Sequence, residues 1–177
     1  MDSFKPYTPA SPIILCGFMS SGKTTIGRPL AKRLGYGFVD TDELLVETYG
    51  MTIPEMFQKG GETYFRDLEH EIAKKVCSMT HTVVSTGGGM LTFPRNGDLL
   101  SRRGYVIYLE KDFEECYSRL AAQKDRPMVQ TRTKEQLRQM YEDRIALYRQ
   151  YAACTIKNHG TVEDAVNQIL AVVTRTL

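Results

Sequence analysis

The chain has 177 residues, 42% of them hydrophobic and 25% charged, which suits one globular domain able to bury about 70% of its unfolded surface. A formal charge of +2 with no long basic run argues against a nucleic-acid binder, and the absence of an apolar stretch of about 18 residues argues against a membrane span. Cys16, Cys77, Cys116 and Cys154 lie far apart without a C-x-x-C pair, so the expectation is a reduced cytoplasmic chain with no zinc site.

Residues 1–12 hold Pro6, Pro9 and Pro12 and no apolar core, and are expected to form a flexible tail rather than a signal peptide. The apolar run Pro12 to Cys16 reads as a buried parallel strand. It leads into Gly17-Phe18-Met19-Ser20-Ser21-Gly22-Lys23-Thr24, which fits G-x-x-x-x-G-K-[ST], the phosphate-binding loop. After it, Ile26, Leu30, Ala31 and Leu34 recur at helical spacing before Gly35. The order strand, loop, helix is the context this motif requires. Backbone N–H groups of the loop and helix start, from Ser20 to Thr25, would converge on the phosphates of a nucleoside triphosphate. Lys23 would neutralise the β- and γ-phosphates, and the Thr24 hydroxyl would bind Mg²⁺.

A second strand at Tyr36 to Val39 ends in Asp40-Thr41-Asp42, and a helix from Glu43 to Tyr49 follows. Thr52 to Glu55 has capping-box spacing for a short helix that Gly60-Gly61 breaks. A longer helix is expected from Glu62 to Met79. His81 to Thr86 reads as a third strand, ending in Gly87-Gly88-Gly89. A helix over Asp98 to Arg103, a strand over Tyr105 to Leu109 and a helix over Asp112 to Gln123 come next. Residues 124–133 lack periodicity. A helix from Lys134 to Tyr151, a fifth strand over Cys154 to Ile156 and an amphipathic helix from Val162 to Val173, led in by Thr161, complete the chain.

Short strands alternating with helices predict a three-layer α/β/α domain around a five-stranded parallel sheet, with no internal repeat. Right-handed crossovers place every strand's C-terminal end on one rim, where ligands bind. Asp40, Asp42, Glu110 and Asn158 then share that rim with the phosphate loop. Asp40 is assigned to the metal and Asp42 to the acceptor hydroxyl, on the reasoning that i, i+2 acids on an extended chain face one cleft. The competing possibility is a solvated turn in which Asp42 caps a helix. Gly87, Gly88 and Gly89 would let backbone N–H groups approach an anion. Arg126, in the aperiodic basic segment, suits a lid over the transferring phosphoryl group. By periodicity alone, Arg66 and Glu69 only decorate a helix.

The phosphate loop, Asp40-Thr41-Asp42, Phe65-Arg66 with Glu69, Gly87-Gly88-Gly89, Arg126-Pro127, and Arg144 followed by Leu147-Tyr148 together resemble the shikimate kinases, small members of the nucleoside-monophosphate-kinase-like group. The likeness spans nearly all of residues 13–173. The phosphate loop is shared with many unrelated NTPases, but D-T-D, F-R-x-x-E and G-G-G in this order are far more specific. The resemblance implies transfer of the γ-phosphoryl group of ATP to the 3-hydroxyl of shikimate with Mg²⁺, in a single domain over 13–177. Its substrate-binding helices would lie near 43–71 and its lid near 124–133. It implies that Asp42 holds the acceptor hydroxyl and that Arg66, Arg144 and the Gly88 backbone grip the shikimate carboxylate. Glu69 would orient Arg66, Arg126 would touch phosphate and acceptor, and Arg119 would stack on adenine. Ser20 departs from the family, which often has glycine there, and residues 155–158 follow the adenine-side segment only loosely. The alternatives are a gluconate or nucleoside-monophosphate kinase, or an inactive nucleotide-binding module. A monomer is the default expectation.

Overall fold

The computed structural model describes residues 6–123 and 131–174. Five parallel strands form one sheet in the order β2-β3-β1-β4-β5: β1 (Ile13–Cys16), β2 (Gly37–Asp40), β3 (Thr82–Ser85), β4 (Tyr105–Glu110) and β5 (Cys154–Lys157). Ile14 lies opposite Val84 on one side and Val106 on the other, so β1 is central and every one of its residues is buried. Edge strands β2 and β5 are partly exposed and correspondingly less apolar.

Side-chain alternation along the strands splits the core in two. Ile13, Leu15, Val83, Ile107 and Leu109 face Ile26 and Leu30 of α1 (Lys23–Leu34) and Val166, Ile169 and Val173 of the last helix, α7 (Val162–Thr174). Ile14, Cys16, Val84, Val106 and Tyr108 face the other layer, built from α2 (Thr41–Tyr49), α3 (Ile53–Cys77), α4 (Pro94–Arg103), α5 (Phe113–Ala121) and α6 (Lys134–Tyr151). This is the expected three-layer fold. Among the described residues no helix is long and apolar enough to cross a membrane, and the four cysteines are free.

Helix boundaries follow local chemistry. Thr52 and Thr133 each close a capping box, with Glu55 and Gln136, and so start α3 and α6. The break expected at Gly60-Gly61 is a kink inside α3, where Gly61 sits at φ 72, ψ −166, a region that essentially only glycine occupies. Two expectations shift. The helix expected from Glu43 begins at Thr41, because the Asp40 carboxylate accepts hydrogen bonds from the Asp42 and Glu43 N–H groups. The cap is therefore Asp40, not Asp42, and the acids meet across a helix start rather than along an extended chain. The helix expected from Asp98 begins at Pro94, a residue suited to a first turn, and a short 3₁₀ turn (Met90–Thr92) fills the gap after the glycines.

The expected N-terminal tail is also corrected over its described part. Tyr7 is buried, packs edge-on against Tyr105 and donates its hydroxyl to Tyr36 Oη at 3.1 Å. The Pro9 and Pro12 carbonyls accept from the His81 and Tyr105 N–H groups. An aromatic ring that covers the sheet end outweighs the proline content of the segment.

Candidate active site

The C-terminal ends of β1, β2 and β3 open onto one cleft of about 620 Å³. Its floor is the phosphate loop. Gly22, at φ 96 and ψ 17, precedes the first residue of α1, so the loop's N–H groups and the helix dipole point into the cleft. Ser20 holds a left-handed conformation at φ 60, which accounts for the family's frequent glycine there. The hydroxyls of Ser20 and Ser21 are buried without a hydrogen-bond partner.

Lys23 donates to the carbonyls of Gly17 and Phe18 at 2.9 Å each. Burial pulls its ammonium down to about 8, with the nearby Cys16, Asp42, Cys116 and Asp40 opposing that shift. Beside it, Thr24 Oγ1 donates to Asp40 Oδ2 at 2.9 Å and lies 3.2 Å from Ser85 Oγ. Asp40 uses Oδ1 to cap α2, which leaves Oδ2 in the cleft. Two hydroxyls and one carboxylate oxygen are hard donors of the kind Mg²⁺ takes beside substrate phosphates, so the residues fit that ion. Ser85 was not expected. It lies opposite Asp40 in the β2–β3 register, a pairing visible only once strand order is known.

The other half of the cleft is cationic. Arg66 donates to Glu69 at 2.5 Å and pairs with Glu62 at 3.4 Å, and its guanidinium sits 4.5 Å above the Phe93 ring. Glu69 is 2% exposed; burial raises its carboxyl above the usual range, and Arg66 offsets only part of that rise. The periodicity-based view of this pair as surface decoration is thereby corrected.

A side-chain carbon placed on Gly89 would fall 3.1 Å from Arg66 Nη1 and 3.6 Å from Arg144 Nη2, so both guanidiniums converge on the glycine loop. One placed on Gly87 would fall 2.7 Å from Asp42 Oδ1, so a larger residue there would push the Asp42 carboxylate aside. Thr41 and Tyr148, quoted in motifs but given no role from the sequence, shape that loop. Thr41 Oγ1 accepts from the Gly87 N–H at 2.9 Å, and the Tyr148 hydroxyl donates to the Gly88 carbonyl at 2.6 Å. Ile53, Phe57 and Phe65 add an apolar wall, Phe57 stacking on Phe65 at 4.4 Å. No sequence periodicity separated these three from ordinary core positions.

Ser20, Gly22, Lys23, Thr24, Thr25, Asp40, Asp42, Arg66, Glu69, Gly87, Gly88, Gly89, Arg119 and Arg144 all line this cleft. Arg119 reaches the Ser20 carbonyl at 3.4 Å, at the end remote from Arg66. Ser21 lies beneath the lining rather than in it. Of the other rim residues, Glu110 pairs outside the cleft with Arg149 at 3.1 Å, and Asn158 donates to the Ser21 carbonyl at 2.7 Å. Arg126 and most of the expected lid lie outside the described residues.

The arrangement brings together a glycine-flanked loop at a helix start, hydroxyl and carboxylate oxygens beside it, the Asp42 carboxylate and the paired guanidiniums of Arg66 and Arg144. The family model for shikimate kinase matches residues 19–174. The shikimate kinase of Stenotrophomonas maltophilia is 41% identical over 164 residues, 92% of this chain and 91% of that one. That of Geobacter sulfurreducens is 40% identical over 89% of this chain and 87% of its own. A solved shikimate kinase from Acinetobacter baumannii, in complex with shikimate, superposes with a TM-score of 0.87 at 37% identity, covering 93% of each chain. A gluconokinase from Sinorhizobium meliloti shares the fold alone, with a TM-score of 0.65 at 16% identity.

Proposed function

The chain belongs to the shikimate kinase family, and from that premise we propose that it transfers the γ-phosphoryl group of ATP to the 3-hydroxyl of shikimate. One observation supports this acceptor above others: Arg66 and Arg144 converge on Gly89. Guanidinium forks match the plane of a carboxylate, and two of them beside backbone N–H groups suit an acceptor that carries one.

ATP lies with its phosphates on the loop, Lys23 and the start of α1, and with adenine toward Arg119. Thr24 and Asp40, with Ser85 beside them, would hold Mg²⁺, which would supply charge neutralisation for the transferring phosphoryl group. The shikimate carboxylate rests between Arg66 and Arg144, with Glu69 fixing the angle of Arg66. That placement brings the acceptor hydroxyl to Asp42, which orients it and takes its proton as the oxygen bonds to γ-phosphorus and ADP leaves. Catalysis rests on positioning and electrostatics, without a covalent enzyme intermediate. Arg126 enters only through the family resemblance, as the residue touching phosphate and acceptor together. In the same proposal residues 13–177 form one domain with the acceptor helices near 43–71, acting as a monomer in the cytoplasm.

The test is ADP release dependent on ATP and Mg²⁺, with shikimate, gluconate, AMP, CMP or no acceptor. Turnover with shikimate alone is the expected result. Equal or faster turnover with another acceptor overturns the proposal at the acceptor, and nucleotide binding without turnover on any of them overturns it as an enzyme.

A further inference from the structure

Behind the phosphate loop, outside the cleft lining, lies a buried polar relay that the mechanism above does not use. Lys111, at the end of β4, is only 3% exposed. Its ammonium donates to the Asn158 carbonyl at 2.8 Å and pairs with Glu115 Oε2 at 3.0 Å. The Asn158 N–H donates to the Glu110 carbonyl at 2.8 Å, so the backbone of Asn158 is held on both sides. Its side chain is then aimed at a single target: Asn158 Nδ2 donates to the Ser21 carbonyl at 2.7 Å. Asn158 is itself 5% exposed. The Lys111 carbonyl is held as well, accepting from the Tyr141 hydroxyl at 2.8 Å.

A buried ammonium is costly unless it is paired and hydrogen-bonded, and here Glu115 pairs with it and the Asn158 carbonyl accepts from it, Asn158 being the group that reaches the loop. The consequence for the loop follows from peptide geometry. A trans peptide is planar, with its carbonyl and its N–H on opposite sides. Holding the Ser21 carbonyl against Asn158 therefore presents the Gly22 N–H on the side away from Asn158, and Gly22 lines the cleft. The flanking peptides are held by the Ser21 N–H on the Phe18 carbonyl at 3.1 Å and the Ile26 N–H on the Gly22 carbonyl at 2.8 Å, while Gly22 itself lacks a side chain and its left-handed backbone is one of several conformations glycine reaches easily.

We propose that Asn158 and Lys111 are positioning residues for nucleotide binding: Lys111 fixes Asn158, and Asn158 sets the Ser21–Gly22 peptide so that its N–H faces the phosphates. This rests on the proposed function only in taking the cleft as a phosphate site, and does not depend on the acceptor. The relay joins the ends of β4 and β5, α5 and α6 to the loop that β1 carries.

The experiment measures binding without turnover. Calorimetry gives Kd for MgATP, for magnesium tripolyphosphate and for shikimate with the unaltered protein, Asn158→Asp, Asn158→Ala and Lys111→Met, and thermal melting checks that each variant is folded. The Asn158 variants are expected to weaken MgATP about ten-fold, the aspartate more than the alanine because it turns an acceptor on the Ser21 carbonyl. Lys111→Met is expected to weaken it about three-fold. Tripolyphosphate should lose the same factor as ATP, and shikimate should stay within about two-fold. Matching losses for both phosphate ligands separate loop positioning from a lost adenine contact or a general loosening. MgATP affinity unchanged in a folded Asn158→Asp or Lys111→Met protein overturns the relay, as does a loss seen with ATP but not with tripolyphosphate. Failure of the unaltered protein to bind MgATP overturns relay and phosphate site together, and failure to phosphorylate shikimate touches only the acceptor.

Discussion

Ser20 occupies a left-handed position, φ 60, with its hydroxyl buried and unpartnered. An L side chain there costs about 1–2 kcal/mol, and glycine returns part of that gain through a freer unfolded chain, roughly 0.4–1 kcal/mol. The difference favours glycine. Ser20→Gly is expected to raise Tm by roughly 1–3 °C, and a fall in Tm would mean that the hydroxyl holds contacts worth more than the strain. Glu69 shows the opposite balance, tolerated strain at a group the site uses. Its carboxyl takes up a proton at higher pH than an ordinary glutamate because it is buried, and Arg66 offsets only part of the burial. The sign differs for stability and for binding. The folded chain holds this proton more tightly than the unfolded one, so the share of stability due to Glu69 grows as pH falls through its folded pKa toward the usual 4.5. Binding moves the other way, because the protonated acid loosens its charge-assisted bond to Arg66. The KM for shikimate is therefore expected to rise on acidification above the ordinary carboxylate range, while Glu69→Gln should have a KM about ten-fold higher with no such acid limb. A pH profile identical in the two proteins would remove Glu69 from acceptor binding.

At the scale of elements, α3 links the fold to the site. Its first turns carry Ile53 and Phe57 to the cleft wall and its later turns carry Phe65, Arg66 and Glu69. The joint between them is Gly61, at φ 72, ψ −166, with no atom within 4 Å of an added side-chain carbon. The cost of Gly61→Ala is therefore conformational rather than steric, about 1–3 kcal/mol. It is expected to lower Tm by several degrees and to raise the KM for shikimate while leaving that for ATP unchanged, since α3 does not touch the phosphate loop chemistry. Equal changes in both constants would show a general loosening instead. This joint was legible in the sequence, because paired glycines after a capping box stop a helix wherever it packs. The phosphate loop, α6 and the central strands were legible for the same reason: each is specified by local residues. What was not legible depends on strand order. Ser85 joins Asp40 and Thr24 only because β2 and β3 are neighbours, and Thr41 supports the glycine loop only because that register brings it beside Gly87. Tyr7 was misjudged because its partners, Tyr36 and Tyr105, belong to elements it meets only in the folded chain.

Across the whole molecule the cleft divides into two supports. Lys23 and Thr24 stand at the start of α1 and Asp40 at the end of β2, whereas Arg66, Glu69 and Arg144 stand on α3 and α6. Asp42, at the start of α2, faces both halves. Ligand stabilisation should divide in the same way. A ligand that binds only the folded chain adds about 2.7 kcal/mol at a hundred times its Kd, which for a chain of this size is roughly 5–10 °C in Tm. Shikimate and MgATP, each at that excess, are expected to raise Tm by that amount separately. Removing divalent ions with EDTA should cancel most of the ATP share, because the cleft then faces the full charge of the triphosphate with Asp40 and Asp42 unscreened, while leaving the shikimate share intact. A shikimate shift that disappears with the metal would mean that the acceptor is held through the ion rather than by the two arginines. The division into a phosphate half and a carboxylate half would then be wrong at the level of the whole cleft.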